Sequence, residues 1–250
     1  CDQVEDPKTA KGIVKRAVTR VLTPGMVYDS DTLEQTQSHY LCSFDEQNLA
    51  CIDTTTGESF YFENLKEKDL KRLLSLLPIA EVVLSSDSQF KSYFMGLVSS
   101  CDEGSDVVSK LKAYVTSLGG EASLQVLKPF EKRELQQKLD LSSTVLRHLE
   151  VFATYRGEGE GSLFHAVNRT QTSAGARLLR QWLFFPLINA SEIKSRQDKI
   201  SQWMKDPAKL KNTRTILAQM GDIERRLGKI AQSQCHARDL QALSQSVKTG

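Results

Sequence analysis

The feature that most restricts what this chain can fold into is a change of hydrophobic period near Lys128. Upstream, short apolar runs switch between two-residue and helical spacing. Downstream, only helical spacing remains. A chain patterned this way calls for an α/β layer first and a helical segment second.

The strongest strand signal lies in residues 39–63. "HYLCSF" and "LACID" are apolar runs separated by the polar turn "DEQN". "TTTG" makes a second turn, and "ESFYFE" alternates with Phe60 and Phe62 on one face. Three short strands joined by tight turns predict an antiparallel meander, with Cys42 opposite Cys51. "LKEKDLKRLLSLLP" then repeats Leu70, Leu73, Leu74 and Leu77, an amphipathic helix stopped by Pro78. "AEVVLS" reads as a buried strand, and "SQFKSYFMGLV" as a short helix or loop. "SDVVSKLKAYVTSLGG" gives a second helix, with Ser105 as its N-cap and Gly119 at its end. Ahead of the meander, Ala17–Leu22 reads as a strand ending at the turn Thr23-Pro24-Gly25.

The downstream helices follow from caps and breakers. Ser142 or Ser143 caps "SSTVLRHLEVFATY", whose face is Leu146, Leu149, Phe152 and Ala153. "TSAGARLLRQWLFFP" ends at Pro186, with Leu178, Leu179, Trp182 and Leu183 expected on its buried face. "SEIKSRQDKISQWMKDP" takes Ser191 as its cap, and "IERRLGKIAQ" and "HARDLQALSQSVKTG" complete the series.

Charge divides along the same line. Residues 1–128 carry 13 Lys and Arg against 19 Asp and Glu, a net of −6; residues 129–250 carry 20 against 12, a net of +8. The basic half reads as a solvated helix surface or as a face for nucleic acid. The five cysteines have no C-x-x-C spacing, which argues against a zinc site and for reduced thiols. No stretch approaches the ~20 apolar residues of a membrane span.

A search for chemistry finds no constellation. There is no G-x-x-x-x-G-K-[ST], no G-x-S-x-G and no H-E-x-x-H, and the four histidines are scattered. The glycine-rich "GEGEGS" places two carboxylates where a phosphate would sit. The meander followed by crossovers is the order of ribonuclease-H-like nucleases, which hold Mg²⁺ with carboxylates. Candidates are Asp45, Asp53, Glu58 and Asp87, although turn and cap roles account for Asp45, Asp53 and Asp87.

In combination the local motifs are more specific. "CDQVEDPKTAKGIVKRAVTRVLTPG" resembles the passage from mismatch-reading domain to connector in the MutS family of DNA mismatch-repair proteins. Cys1, Gln3, Asp6, Pro7, Ala10, Lys11, Gly12, Arg20, Thr23, Pro24 and Gly25 match, while Asp2 and Met26 depart. "CIDTTTGES", with Gly57, resembles a connector strand pair. "GSLFHAVNRTQTSAGARLLRQWLFFPL" resembles the family's core signature through Gly161, Ser162, Leu163, Thr170, Thr172, Gly175, Arg177, Leu178, Leu179, Arg180, Trp182, Leu183, Pro186 and Leu187. "GDIERRLGKIA" and "ARDLQAL" match later core helices.

The resemblance implies a piece of a bacterial-type, cytoplasmic MutS. Residues 1–18 would be a linker from the mismatch reader, 19–125 a ribonuclease-H-like connector domain, and 126–250 the first part of an all-α core or lever. It implies a scaffold without catalytic, cofactor or metal residues. The signature residues Pro24, Gly25, Gly57, Gly161, Ser162, Leu163, Thr170, Gly175, Arg177, Leu178, Trp182 and Pro186 would be structural. A MutL-like partner would dock on the connector. Mismatched duplex DNA, ATP and Mg, and homodimer contacts belong to other parts of the family's proteins, so this piece is expected to be monomeric. An Mg-dependent nuclease and a free-standing docking module remain the alternatives.

Overall fold

A computed structural model of the chain describes residues 2–3, 12–17, 21–27, 33–136, 138–230 and 235–249. In chain order the strands are β1 (Asp2–Gln3), β2 (Arg16–Ala17), β3 (Tyr40–Phe44), β4 (Leu49–Asp53), β5 (Glu58–Phe62), β6 (Ile79–Leu84), β7 (Leu97–Ser100) and β8 (Glu131–Lys132). The helices of the first half are α1 (Glu67–Leu76), α2 (Val107–Gly119) and α3 (Ala122–Gln125). Those of the second half are α4 (Ser143–His148), α5 (Leu163–Val167), α6 (Ser173–Phe184), α7 (Ala190–Met204), α8 (Pro207–Ala218), α9 (Ile223–Ile230) and α10 (Ala237–Thr249). An α/β layer is thus followed by helices, as the change of period predicts.

The expected meander forms. β3, β4 and β5 are antiparallel neighbours, β6 and β7 add in parallel beyond β3, and β8 adds in parallel beyond β5. The six-stranded order is β7-β6-β3-β4-β5-β8. Cys42 lies opposite Cys51, both buried thiols. Because side chains alternate along a strand, each face has its own core. Tyr40, Cys42, Phe60, Val82 and Leu84 pack with Leu70, Leu73 and Leu74 of α1. Leu41, Ala50, Ile52 and Val83 pack with Val107, Leu111 and Val115 of α2.

Several local expectations change. The described part of the first predicted strand is only Arg16–Ala17; Val21 and Leu22 are exposed coil, and residues 18–20 lie outside the described set. Asp106, not Ser105, caps α2, because it closes a capping box with Ser109. Asn189, not Ser191, caps α7 through bonds from the Ser191 and Glu192 amides. Ser142 does cap α4, but that helix ends at His148 and leaves Leu149 exposed. β7 and β8 carry no strand signal of their own, and β8 falls downstream of Lys128.

The largest departure concerns α6. Its buried side chains are Ala176 and Arg177, while Leu178 and Trp182 are exposed. Apolar periodicity named the greasy face, yet the helix turns its arginine inward. Neither α7 nor α8 has a buried side chain. Among the described residues, no helix is long and apolar enough to cross a membrane.

Candidate functional site

The helices meet the sheet layer at a cluster of buried charges. Thr172 caps α6 by accepting from the Gly175 amide at 3.1 Å, which sets Arg177 facing the layer one turn later. Arg177 grips Asp222 with both terminal nitrogens, at 2.5 and 3.0 Å, and reaches Glu224 at 2.9 Å. It also donates to the Gln35 carbonyl at 3.1 Å. A forked guanidinium on a carboxylate is the strongest geometry such a pair can adopt. On α9, Arg225 is 2% exposed and donates to the Glu34 and Gln37 carbonyls at 3.1 and 2.7 Å. Arg180 pairs with Glu34, and Lys128 pairs with Glu224. The residues 34–37 leading into β3 are therefore held from behind by three arginines of two helices.

Titration behaviour follows this arrangement. Burial disfavours the Arg177 cation, but the hydrogen bonds and charges of Asp222 and Glu224 outweigh it and raise its pKa. Burial also works against the Asp222 and Glu224 carboxylates. Arg177 reverses this for Asp222, and Lys128 with Arg177 reverses it for Glu224, so both sit below their ordinary values. Arg225 is pulled down, first by burial and then by the neighbouring Arg177 cation.

Shape complements charge. α9 crosses the turn between β4 and β5 at Gly228, where a Cβ would lie 2.3 Å from the Thr55 carbonyl oxygen. That turn is pinned by Asp53, whose carboxylate accepts from the amides of His39, Thr55 and Thr56 and from the Thr55 hydroxyl. Gly57 closes it with φ of 72°, and its carbonyl accepts from the Lys128 amide at 2.8 Å. A Cβ on Gly57 would also strike the Val126 carbonyl at 2.3 Å. Beside the joint a cleft of about 550 Å³ is lined by Tyr40, Glu58, Lys128, Arg133, Gly175 and Gln181, among others.

The four nuclease candidates do not form one cluster, although Asp53 and Glu58 are register partners across β4 and β5. Asp45 accepts from the amides of Gln47 and Asn48 in the hairpin turn. Glu58 takes the Tyr40 hydroxyl at 2.9 Å and Arg133 at 2.8 Å, and Arg133 stacks 3.8 Å over Phe60. Asp87 is exposed in the turn after β6. No group of three potential metal-ligating side chains occurs among the described residues.

Several signature residues lie at turns, caps and close contacts. Gly25 donates its amide to buried Glu81 at 2.8 Å, and a Cβ there would lie 2.6 Å from Leu41. Glu81 also accepts from Ser99 and Tyr114, tying the Pro24 turn to the sheet. Burial, then the Glu81 bond, pushes the Tyr114 pKa up to about 12. Gly161 has φ of 90° and Ser162 caps α5, with Leu163 half-exposed beside it. The Thr170 hydroxyl donates to Asn168, and the Pro186 carbonyl accepts from the Leu139 amide at 2.8 Å. Cys1, Asp6, Pro7, Ala10, Lys11 and Arg20 lie outside the described residues.

Arg177 and the run holding Asp222, Glu224 and Arg225 were each legible as motifs; that Arg177 pairs with Asp222 and Glu224 was not. The available signal was Gly228, since a glycine inside a helix weakens it unless close packing requires one.

The architecture is an α/β layer joined through buried ion pairs to a helical region. Family models for MutS domain III and MutS domain I match residues 144–249 and 1–31. The DNA mismatch repair protein MutS of Bacillus velezensis is 30% identical over 99% of this chain and 32% of its own length. Those of Halalkalibacterium halodurans and Thermosynechococcus vestitus are 32% and 31% identical, over 99% and 100% of the chain and 32% and 34% of their own lengths. The chain belongs to the MutS family. It spans about a third of the length of the curated relatives it matches.

Proposed function

We propose that this chain works in DNA mismatch repair as a non-catalytic mechanical joint. It would transmit conformational change between a mismatch reader, a DNA clamp and an ATPase carried by other parts of a MutS protein. The layer would serve as the connector, with a surface for a MutL-like partner, and the helices as the start of the lever. The meander followed by parallel β6 and β7 supports the ribonuclease-H-like reading of the layer.

The observation that carries this reading is the buried bidentate Arg177–Asp222 pair with Arg225 at the base of β3. An ionic joint holds two bodies in register and still has discrete alternative pairings, which a bistable element requires. Mismatched DNA, homodimer contacts, ATP and Mg belong, on this reading, to the rest of the protein. The residues here do not fit a nucleotide. In the 157–161 loop, the Gly157 amide bonds to Thr154 and the Glu158 amide to the Thr154 hydroxyl, so neither faces a phosphate. Two glutamates in that loop would repel one. The Asp53 carboxylate is occupied by its own turn, which disfavours the nuclease alternative.

The test is Arg177→Met in the gene that encodes this chain, read by mutation rate in cells and by folding of the chain. The expected outcome is a rise in mutation rate with mismatch binding of the whole protein retained. Normal repair by a variant whose joint has come apart would defeat the proposal.

A further inference from the structure

The two edges of the sheet are finished differently. At one edge β8 covers β5, and Lys132 and Arg133 pair with Glu63 and Glu58. At the other edge, β7 pairs with β6 and, among the described residues, with no other strand. The Cys101 amide donates to the Leu84 carbonyl at 2.8 Å, so residues 97, 99 and 101 aim their backbone groups at β6. Alternation along the strand turns the amides and carbonyls of Val98 and Ser100 away from the sheet. Those are the groups another strand would use.

Apart from its shortness, the edge lacks the usual protection. Exposed edges are commonly guarded by a charge, a proline or a bulge. From Ser92 to Cys101 there is no charged residue and no proline. The β6–β7 register runs unbroken from Glu81↔Leu97 to Leu84↔Ser100. Met95 is fully exposed and Leu97 is 47% exposed. Val98 and Phe94 are half-buried against the α1-side core, while Leu97 lies on the opposite face. A strand laid here would find apolar surface on both of its sides.

Geometry decides the occupant. Four residues extend roughly 13 Å, and pairing two such short edges buries far less than the ~1,200 Å² that a stable dimer needs. A second copy of the chain would not be held. An extended peptide would be, since main-chain bonds supply affinity and alternate side chains supply selectivity. We propose that the β7 edge is a docking site for an extended, uncharged peptide segment of a partner protein. The segment adds beyond β7 as a further strand, with alternate side chains against Val98 and Leu97. This site does not depend on the mechanical reading of the joint.

The experiment selects displayed random decapeptides against the whole chain, then measures a synthetic copy of the tightest binder. The expected binder protects the Val98 and Ser100 amides from hydrogen exchange. Ser100→Pro removes an outward donor while leaving the β6 ladder whole. It weakens binding about tenfold or more, the loss expected for one unmade hydrogen bond plus steric exclusion. Leu97→Lys, a charge on an exposed position, weakens it as well. Protection of other amides, or equal binding to both variants, overturns the proposal. So does failure to select any peptide, and so does a concentration-dependent dimer that Leu97→Lys abolishes, which would make a second copy the occupant. Should both variants misfold, the exchange protection on the native chain decides.

Discussion

The sheet layer and the helices behind it differ in balance: two large apolar cores hold the layer, while buried ion pairs and one small apolar cluster around Leu76, Leu146 and Val151 hold the helices. In the layer, Leu41, Ile52, Phe60, Leu70 and Leu111 are fully enclosed, and apolar packing continues through both faces. In the helical half, Leu178, Trp182 and Trp203 are open, while Arg177 and Arg225 are buried. Close-packed apolar groups resist displacement, because each shift opens a void. Ion pairs are exchangeable, and Arg177 already serves two carboxylates and a carbonyl. The difference teaches how a fold can set a close-packed base beside a junction whose ion pairs have alternative partners.

Phe60→Ala should strike the base hardest. Phe60 meets Tyr40 and Phe62 edge-on at 5.3 and 5.8 Å and carries Arg133 on its ring. Its loss should cost about 4 kcal/mol in urea unfolding. A cost below about 1 kcal/mol would mean that the layer is loosely packed, and the contrast would fail. Arg177→Met comes next, at about 3 kcal/mol, because it strands the Asp222 carboxylate in a site 9% exposed. The signature is regional: hydrogen exchange should quicken in α6 and α9 while β3, β4 and β6 stay protected. Adding Asp222→Asn should recover part of the loss. Uniform exchange throughout the molecule would show that joint and base unfold as one.

What the sequence disclosed divides along the same line. The meander and the Cys42–Cys51 register were readable because strand period and turn chemistry are local. β7 and β8 were not, since short exposed edge strands need no apolar alternation. The α8 helix was missed although Asp206 as cap and Pro207 at its first position are a readable start signal. The joint was hidden for a deeper reason. Arg177 and Asp222 are 45 positions apart, and neither carries a mark of burial in its own neighbourhood. Periodicity reports which residues are apolar, and in α6 the buried residue is charged.

Acid should separate the two regions more gently. Burial alone would raise Asp222 and Glu224, but their cationic partners hold both below ordinary values. A carboxylate with a depressed folded-state pKa stabilises fully above its unfolded value, about 3.9 for Asp and 4.3 for Glu, and that stabilisation fades as pH falls through the folded value. The helical half should therefore loosen below about pH 4, before the layer does. The layer's own depressed carboxylates sit at or near the surface: Glu67 in an exposed pair with Lys71, Asp102 on Ser86 and Asp106 as the α2 cap, each tied to its immediate surroundings and none bridging layer and helices. Exchange measured at pH 7 and pH 3.5 checks the order, and a layer that opens first would reverse it.

The smallest effect is expected on the open face of α7. Trp203 is 43% exposed, with Lys209 lying 5.5 Å above its ring. If the arm is held at the joint and not by apolar burial along its length, Trp203→Gln should change stability by less than about 0.5 kcal/mol. Thermal unfolding of the purified chain at low concentration measures this. A loss approaching that of Arg177→Met would place an apolar anchor on α7 in addition to the small cluster around Leu146, and the packing of the helical half would extend along its length.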